Sequence, residues 1–324
     1  MADKVLTISI AAYNLSERID QCLASFASSK FIDDIELIVT NDGSKDDTAR
    51  KVEKWVERYP NSIRLINKKN EGAGSTVNSG ILHATGKYFK MVDGDDWVEN
   101  IDEFVSFLKN CDSDRVVSDY TFYDNSKKAK DRTESFSLPK GCFHFDDEWD
   151  KIPNERHALC FKTEIRKSIH LDNGFYTDVE YLLFPLTKVK TVSYFTKPVY
   201  IYRVGQRNQS VSPQSRRKHV LDHEAVLSHV LSWLNDNKDK RSPQHLSFVL
   251  KRAVSLVDNQ RVIYLLFKPS KKQKNKIKSF VQEVSANEEL YALYKRNKKY
   301  KVLTESHYLL YQLLSFLVRK KEGM

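Results

Sequence analysis

Between Val5 and Leu108, short apolar runs rich in β-branched residues alternate with segments whose apolar residues recur at helical spacing. No other feature of the chain restricts its fold so strongly. The runs Val5–Ala11, Ile35–Thr40, Ile63–Ile66 and the one ending at Val92 read as strands, nearly continuous in apolar character as burial on both faces requires. Between them, Leu15, Ile19, Leu23 and Phe26 mark one helix, with Asn14 and Glu17 spaced like a capping box. A second helix starts near Ser44 with Asp46 and Asp47 in its first turn, and a third runs from Gly72 to Ala84. Strand and helix in alternation imply an α/β fold with a mainly parallel sheet, flanking helices and right-handed crossovers.

Further on, Val98–Leu108 reads as an amphipathic helix and Arg115–Tyr123 as a strand. Residues 124–151 carry no clear period, and a hairpin over Ser135–Phe145 is the one expectation there. A helix over Asp178–Val189 and short strands at Thr191–Tyr194 and Pro198–Tyr202 follow. Beyond Ser212 the pattern is helical: Leu221–Leu234, Leu246–Phe267, Ile277–Val284 and His307–Val318. Charge changes at the same place. Residues 1–210 hold 30 Lys+Arg against 33 Asp+Glu, whereas residues 211–324 hold 23 against 10. Two domains are expected, residues 1–212 and a basic helical module over 213–324.

The four cysteines include no C-x-x-C pair, which excludes a zinc knuckle or disulfide framework as the organising device and suits a reducing compartment. The first residues lack the pattern of a secretory signal, and no apolar segment approaches a membrane span. A cytoplasmic protein, or one peripheral at the inner face of the plasma membrane, is the expectation.

The chemistry-bearing stretch is Lys87–Trp97, where an apolar run stops in Asp93-Gly94-Asp95-Asp96. Carboxylates at the carboxyl edge of a parallel sheet lie where open α/β folds hold ligands, and hard oxygen donors suit Mg²⁺ or Mn²⁺. The first βα turn, Ala11-Ala12-Tyr13-Asn14, lacks the glycines that hold phosphates on backbone N–H groups. Charge neutralisation therefore falls to a metal or to basic side chains. A D-x-D tripeptide alone is more often a turn; its place at a strand end, downstream of a second acidic strand end at Asp42, raises its weight.

Several motifs in order make the chain resemble glycosyltransferase family 2. Thr7–Asn14 is similar to the family's opening strand and Y-N turn, and Val39–Ser44 to its D-D-G-S turn. Asn70–Gly80 resembles the N-x-G…N-x-G segment, and Met91–Trp97 the metal-binding D-x-D-D-W. Gly174–Tyr181 resembles the segment carrying the general base, and Tyr200–Arg203 with Ser210 the Y-Y-R…S segment. The resemblance covers about residues 4–212 and implies a GT-A fold followed by a smaller α-helical module. It implies an inverting, metal-dependent transferase that moves a sugar from a UDP donor to a hydroxyl of a glycan, lipid-linked or protein-linked acceptor, as in bacterial surface polysaccharide or glycoprotein glycan synthesis. Donor contacts are then expected from Ala11, Tyr13, Asp42, Asn70, Asn78, Asp93, Gly94, Asp96, Arg203 and Arg207, with Asp95 as metal ligand for Mn²⁺ or Mg²⁺ and Asp178 as general base.

The residue types fit these roles: an aromatic face at Tyr13 for a base, acceptor oxygens at Asp42 for the N3–H of uracil, and guanidinium groups at Arg203 and Arg207 for a diphosphate. Plainer readings stand beside them. Asp42 would also stabilise a turn, Asp178 would also cap a helix, and Arg203 would also be a solvated charge. The chain departs from the family pattern at Ala12, Asn41, Val77 and Thr177, and Val77, where arginine is frequent, leaves the donor open. A nucleotidyltransferase and a non-catalytic GT-A scaffold are the alternatives. His219 and His223 have a metal-pair spacing without a Glu or Cys partner and read as structural. The lysines of 271–278 and 295–301 suggest peripheral membrane contact, an oligomer remains open, and no motif indicates nucleic acid.

Overall fold

The computed structural model describes residues 4–205, 212–237, 239 and 242–323. The chain divides into two compact units, Met1–Gln206 and Arg207–Met324.

In the first unit the elements run β1 (Leu6–Ala12), α1 (Ile19–Ala27), β2 (Ile35–Asn41), α2 (Thr48–Arg58), β3 (Ile63–Asn67), α3 (Ala73–His83), β4 (Tyr88–Asp93), β5 (Trp97–Val98) and α4 (Ile101–Lys109). They continue with β6 (Arg115–Asp124), β7 (Ala129–Glu134), β8 (Cys142–His144), β9 (Leu159–Lys162), α5 (Thr163–Lys167), α6 (Asp178–Leu183) and β10 (Thr191–Val204). The sheet has the order β3-β2-β1-β4-β9-β6-β10-β5, with β7 on β6 and β8 on β10. Leu6, Ile8, Ile10, Leu37, Val39 and Phe89 are fully buried, which accounts for the uninterrupted apolar runs of β1, β2 and β4.

The α/β architecture is the one expected, and β1, β2, β3 and β4 pair in parallel, as do β6 and β10. The sheet as a whole is mixed, because β9 lies antiparallel between β4 and β6. Four residues are too few to show a period. The hairpin falls earlier than Ser135–Phe145: β6 turns back into β7 with Asp124 opposite Ala129. Most of β7 is exposed and charged, so no alternation announced it. The helix at Asp178 stops at Leu183 and tightens into a 3₁₀ turn, Phe184–Thr187, at Pro185, whose ring removes a donor. The two short strands after Thr191 are one, β10, with register irregularities around Pro198. Asn14 does not cap α1. It sits at φ 53°, and its Oδ1 accepts from the Lys45 N–H at 2.8 Å, tying the first βα turn to the second.

The second unit comprises α7 (Pro213–Lys218), α8 (Val220–Asp236), α9 (Pro243–Leu265), α10 (Lys271–Ser285), α11 (Glu288–Tyr294), α12 (Lys298–Glu305) and α13 (Tyr311–Lys321). Ser212, Ser242, Ser270 and Asn287 cap α7, α9, α10 and α11, each accepting from the N–H three residues on. Helix α9 is the central element, burying Phe248, Val249, Ala253, Leu256, Val257 and Ile263 against α8, α10, α11 and α13. His219 pairs with Asp222 and His223 with Gln260, so their spacing serves packing and capping. Among the described residues no helix is long and apolar enough to cross a membrane.

Candidate functional site

Parallel register brings the carboxyl ends of β1, β2 and β4 level: Ala11 lies opposite Asp93, and Ala12 opposite Asn41. Tyr13, Asp42 and the Asp93–Asp96 turn are thereby set along one edge of the sheet. Tyr13 is 47% exposed at that edge. Asp42 is buried and accepts from Lys68 Nζ at 3.0 Å and from the N–H groups of Glu71 and Gly72 at 3.0 and 2.9 Å. It therefore shapes the loop before α3, in which Asn70, exposed, packs beside Gly43. Each carboxylate oxygen has two acceptor sites, so Asp42 keeps capacity for a further donor.

The acid turn is held from behind by β10. Tyr200 Oη accepts from the Asp93 N–H at 3.1 Å and donates to Asp96 Oδ2 at 2.7 Å, while the Arg203 N–H donates to Asp96 Oδ1 at 2.8 Å. Asp96 is 2% exposed, and burial followed by the charges of Asp93 and Asp95 pushes its carboxyl well above the usual range, against the two hydrogen bonds. The Gly94 N–H donates to the Ala11 carbonyl at 3.1 Å, and a Cβ at Gly94 would meet that carbonyl at 2.9 Å. The Arg203 guanidinium stacks over Trp97 and donates to the Asp95 carbonyl, Asn125 and Gln21. Nε and one N–H of each Nη are so engaged, and Arg203 buttresses the turn. Arg207 lies outside the described residues.

The Asp95 carboxylate, 29% exposed, has Arg18 Nη1 at 3.6 Å. Asp93 forms a two-pronged pair with Arg156, the Nη1–Oδ1 bond at 3.0 Å, and Nη2 meets Oδ2. No periodicity singled out Arg156. It lies in the poorly patterned stretch before β9, in a 3₁₀ turn, Arg156–Ala158, that packs against β4, β6, β10 and α6. That turn is pinned by Lys90, whose buried Nζ donates to the carbonyls of His157 and Leu159 at 2.6 and 3.2 Å. Burial lowers the Lys90 ammonium to about 8.

His157 stacks on Tyr202 at 4.2 Å, and burial, then Arg156 and Lys90, drive its imidazole well below the usual range. Its donor atom lies within 4.8 Å of those of Asp93 and Asp96. His157 Nε2 is buried with no protein hydrogen-bond partner, and a neutral imidazole beside two carboxylates fits a divalent cation. Asp95, the expected metal ligand, lies beside the Arg18 guanidinium and outside this group of three. The imidazole is a candidate ligand that sequence reading missed.

Asp178 opens α6, one residue inside the helix, with Thr177 at the cap position. Its approach loop is docked on α3. The Gly74 N–H donates to the Gly174 carbonyl at 3.0 Å and the Ser75 N–H to that of Asn173 at 3.1 Å. Asn78 holds Leu171 from both sides, Nδ2 donating to its carbonyl at 2.7 Å and Oδ1 accepting from its N–H at 3.0 Å. The Asn78 amide is thus committed to the loop that leads to Asp178. Gly72, at φ 98°, and Gly74 are required by the close approach: a Cβ on either would fall 2.7 Å from the Asn173 carbonyl or 1.8 Å from that of Asp172. Glu180 is buried and accepts from the Asp172 N–H at 2.7 Å. Asp178 is among the charges that stabilise the Arg156 cation, after Asp93. Arg156 thus links the acid turn to the start of α6.

Comparison with known proteins gives these residues a context. The family model described as glycosyl transferase family 2 matches residues 7–175. The Bacillus subtilis (strain 168) protein named "Putative glycosyltransferase EpsH" is 27% identical over 223 residues, 63% of this chain and 62% of the relative. The chondroitin synthase of Escherichia coli is 37% identical over 95 residues, 29% of this chain and 14% of that protein. The aligned stretch thus spans less than two thirds of these curated relatives. The crystal structure of Staphylococcus aureus TarS 1-349 in complex with UDP has the same fold, with a TM-score of 0.65 at 16% identity, covering 99% of this chain and 92% of that one.

Proposed function

The chain belongs to glycosyl transferase family 2, and on that premise we propose that it transfers a sugar from a UDP-sugar to an acceptor hydroxyl with inversion, in the synthesis of a polysaccharide or other glycan. The observation that carries the reading is the arrangement around Arg156: its guanidinium pairs with Asp93 of the acid turn, its cation is also favoured by Asp178, and its 3₁₀ turn packs against α6. A second support is the TarS structures titled as complexes with UDP and with UDP-GlcNAc, which share the fold.

In this reading Tyr13 stacks on the base and Asp42 uses its remaining acceptor capacity on uracil. Asp178 takes the proton of the acceptor hydroxyl as that oxygen attacks the anomeric carbon; a single displacement inverts the centre. Arg156 holds the Asp93 carboxylate in a two-pronged pair, and its own cation is favoured by Asp93 and, more weakly, by Asp178. Asp96, bonded to Tyr200 and to the Arg203 N–H, holds the turn in shape. Asp95, or Asp93 and Asp96 with His157, would hold Mn²⁺ or Mg²⁺, which when bound supplies positive charge to the departing diphosphate.

The test is a panel of UDP-sugars with Mn²⁺ or Mg²⁺, with a chelated control, read as UDP release. Asp178→Asn should lower turnover about 10²–10⁴-fold while leaving the heat of UDP binding intact. No UDP binding with either metal, or release of pyrophosphate in place of UDP, would reject the proposal.

A further inference from the structure

Helix α13 is fastened by one side only. Tyr311 and Ser315 are buried, and Ser315 Oγ lies 2.9 and 3.1 Å from the carbonyl oxygens of Leu265 and Phe267. This attachment turns the opposite side outward. There Leu309, Leu310, Leu313, Phe316 and Leu317 are all exposed, from 41% to 79%. At about 100° per residue, Leu313, Phe316 and Leu317 share one face of α13, the exposed Lys320 continues it, and Leu309 and Leu310 are exposed in the turn just before the helix. Lys321 follows in the last turn, and at the other end Lys278 of α10 lies 5.4 Å over the Tyr308 ring. The apolar stripe therefore has cations at both ends, in a region with 23 Lys+Arg against 10 Asp+Glu.

We infer that α13 docks in the plane of an anionic lipid surface, with the leucines and Phe316 in the headgroup boundary and Lys278, Lys320 and Lys321 against lipid phosphates. The composition is that of an interfacial helix: a Leu/Phe face with basic residues beside it, on a helix too short to span. The size of the patch argues against a second copy as occupant. Five side chains on three turns expose on the order of a few hundred Å², the size of functional patches on monomers, whereas a stable protein interface needs about 800 Å² from each partner. A second copy would also present the same cations to each other. The inference goes beyond the transferase reading and does not depend on it.

The test is flotation of the whole chain, without donor, on vesicles of phosphatidylcholine alone or with about one third phosphatidylglycerol. The wild type should partition at least about tenfold more onto the anionic vesicles, and salt should weaken the binding. Leu313→Gln with Phe316→Gln should lower partitioning about tenfold or more; both side chains are exposed, so thermal melting should be unchanged. Lys320→Glu with Lys321→Glu should remove the preference for anionic lipid. Three outcomes would overturn the inference: no binding by the wild type, binding that survives the apolar substitutions, or a dimer in sedimentation velocity that the same substitutions dissolve while vesicles stay bare.

Discussion

Gly74→Ala sets two known effects against each other. Gly74 is the second residue of α3, and in a helix alanine is favoured over glycine by about 0.8–1.0 kcal/mol. Taken alone, that term raises the melting temperature of the first unit by a few degrees. The added Cβ, however, would stand 1.8 Å from the Asp172 carbonyl oxygen and 2.9 Å from Thr177 Cγ2. Contacts with backbone atoms below about 3 Å do not persist, so the 172–174 loop must retreat by roughly 1 Å or break the Gly74 N–H bond to Gly174. Overpacking of this kind costs about 1–3 kcal/mol, with a rigid backbone neighbour placing it at the upper end. The steric term wins by about 2 kcal/mol, equivalent to a fall of about 4–8 °C in the unfolding midpoint. The loop leads directly to Asp178, and a 1 Å misplacement of a reacting group costs about 100-fold in rate. Differential scanning calorimetry and initial rates of UDP release measure the two effects. A variant that melts higher and turns over at the wild-type rate would show that the loop is not held by this contact.

Two other substitutions probe the turn before β9. Arg156→Gln removes charge-assisted bonds from a pair whose side chains are 20% and 29% exposed, and should cost about 1.5–3 kcal/mol in chemical denaturation. A turn displaced by about 1 Å should also lower the rate of UDP release about 100-fold; a lower melting point with an unchanged rate would reduce Arg156 to a structural role. Lys90→Met tests the buried ammonium. Its folded value of about 8 lies below the ordinary 10.5, so between these values the unfolded chain binds more protons and stability rises with pH. The wild type should gain about 2 kcal/mol more than Lys90→Met between pH 8 and pH 10, by denaturant titration, and parallel curves would contradict a buried, cationic Lys90.

The primary structure by itself determined the alternating α/β plan, the helical character of the second unit and the acidic strand end. Each rests on signals carried within a few residues: burial on both faces writes an apolar run, and a one-sided helix writes apolar residues three and four apart. The acidic strand ends made Asp42 and the Asp93–Asp96 turn visible, Tyr13 and Asp178 became candidates through the family resemblance, and β7 and β9, whose few residues carry no period, stayed hidden. Only the tertiary structure decided which partners the candidates have. Arg156 reaches Asp93 across 63 positions, and Asn78 reaches Leu171 across 93. Arg203 reaches Gln21, 182 positions away, and buttresses the acid turn. Such contacts depend on where packing brings distant segments together, and neither member of the pair carries a mark of the other in its own neighbourhood.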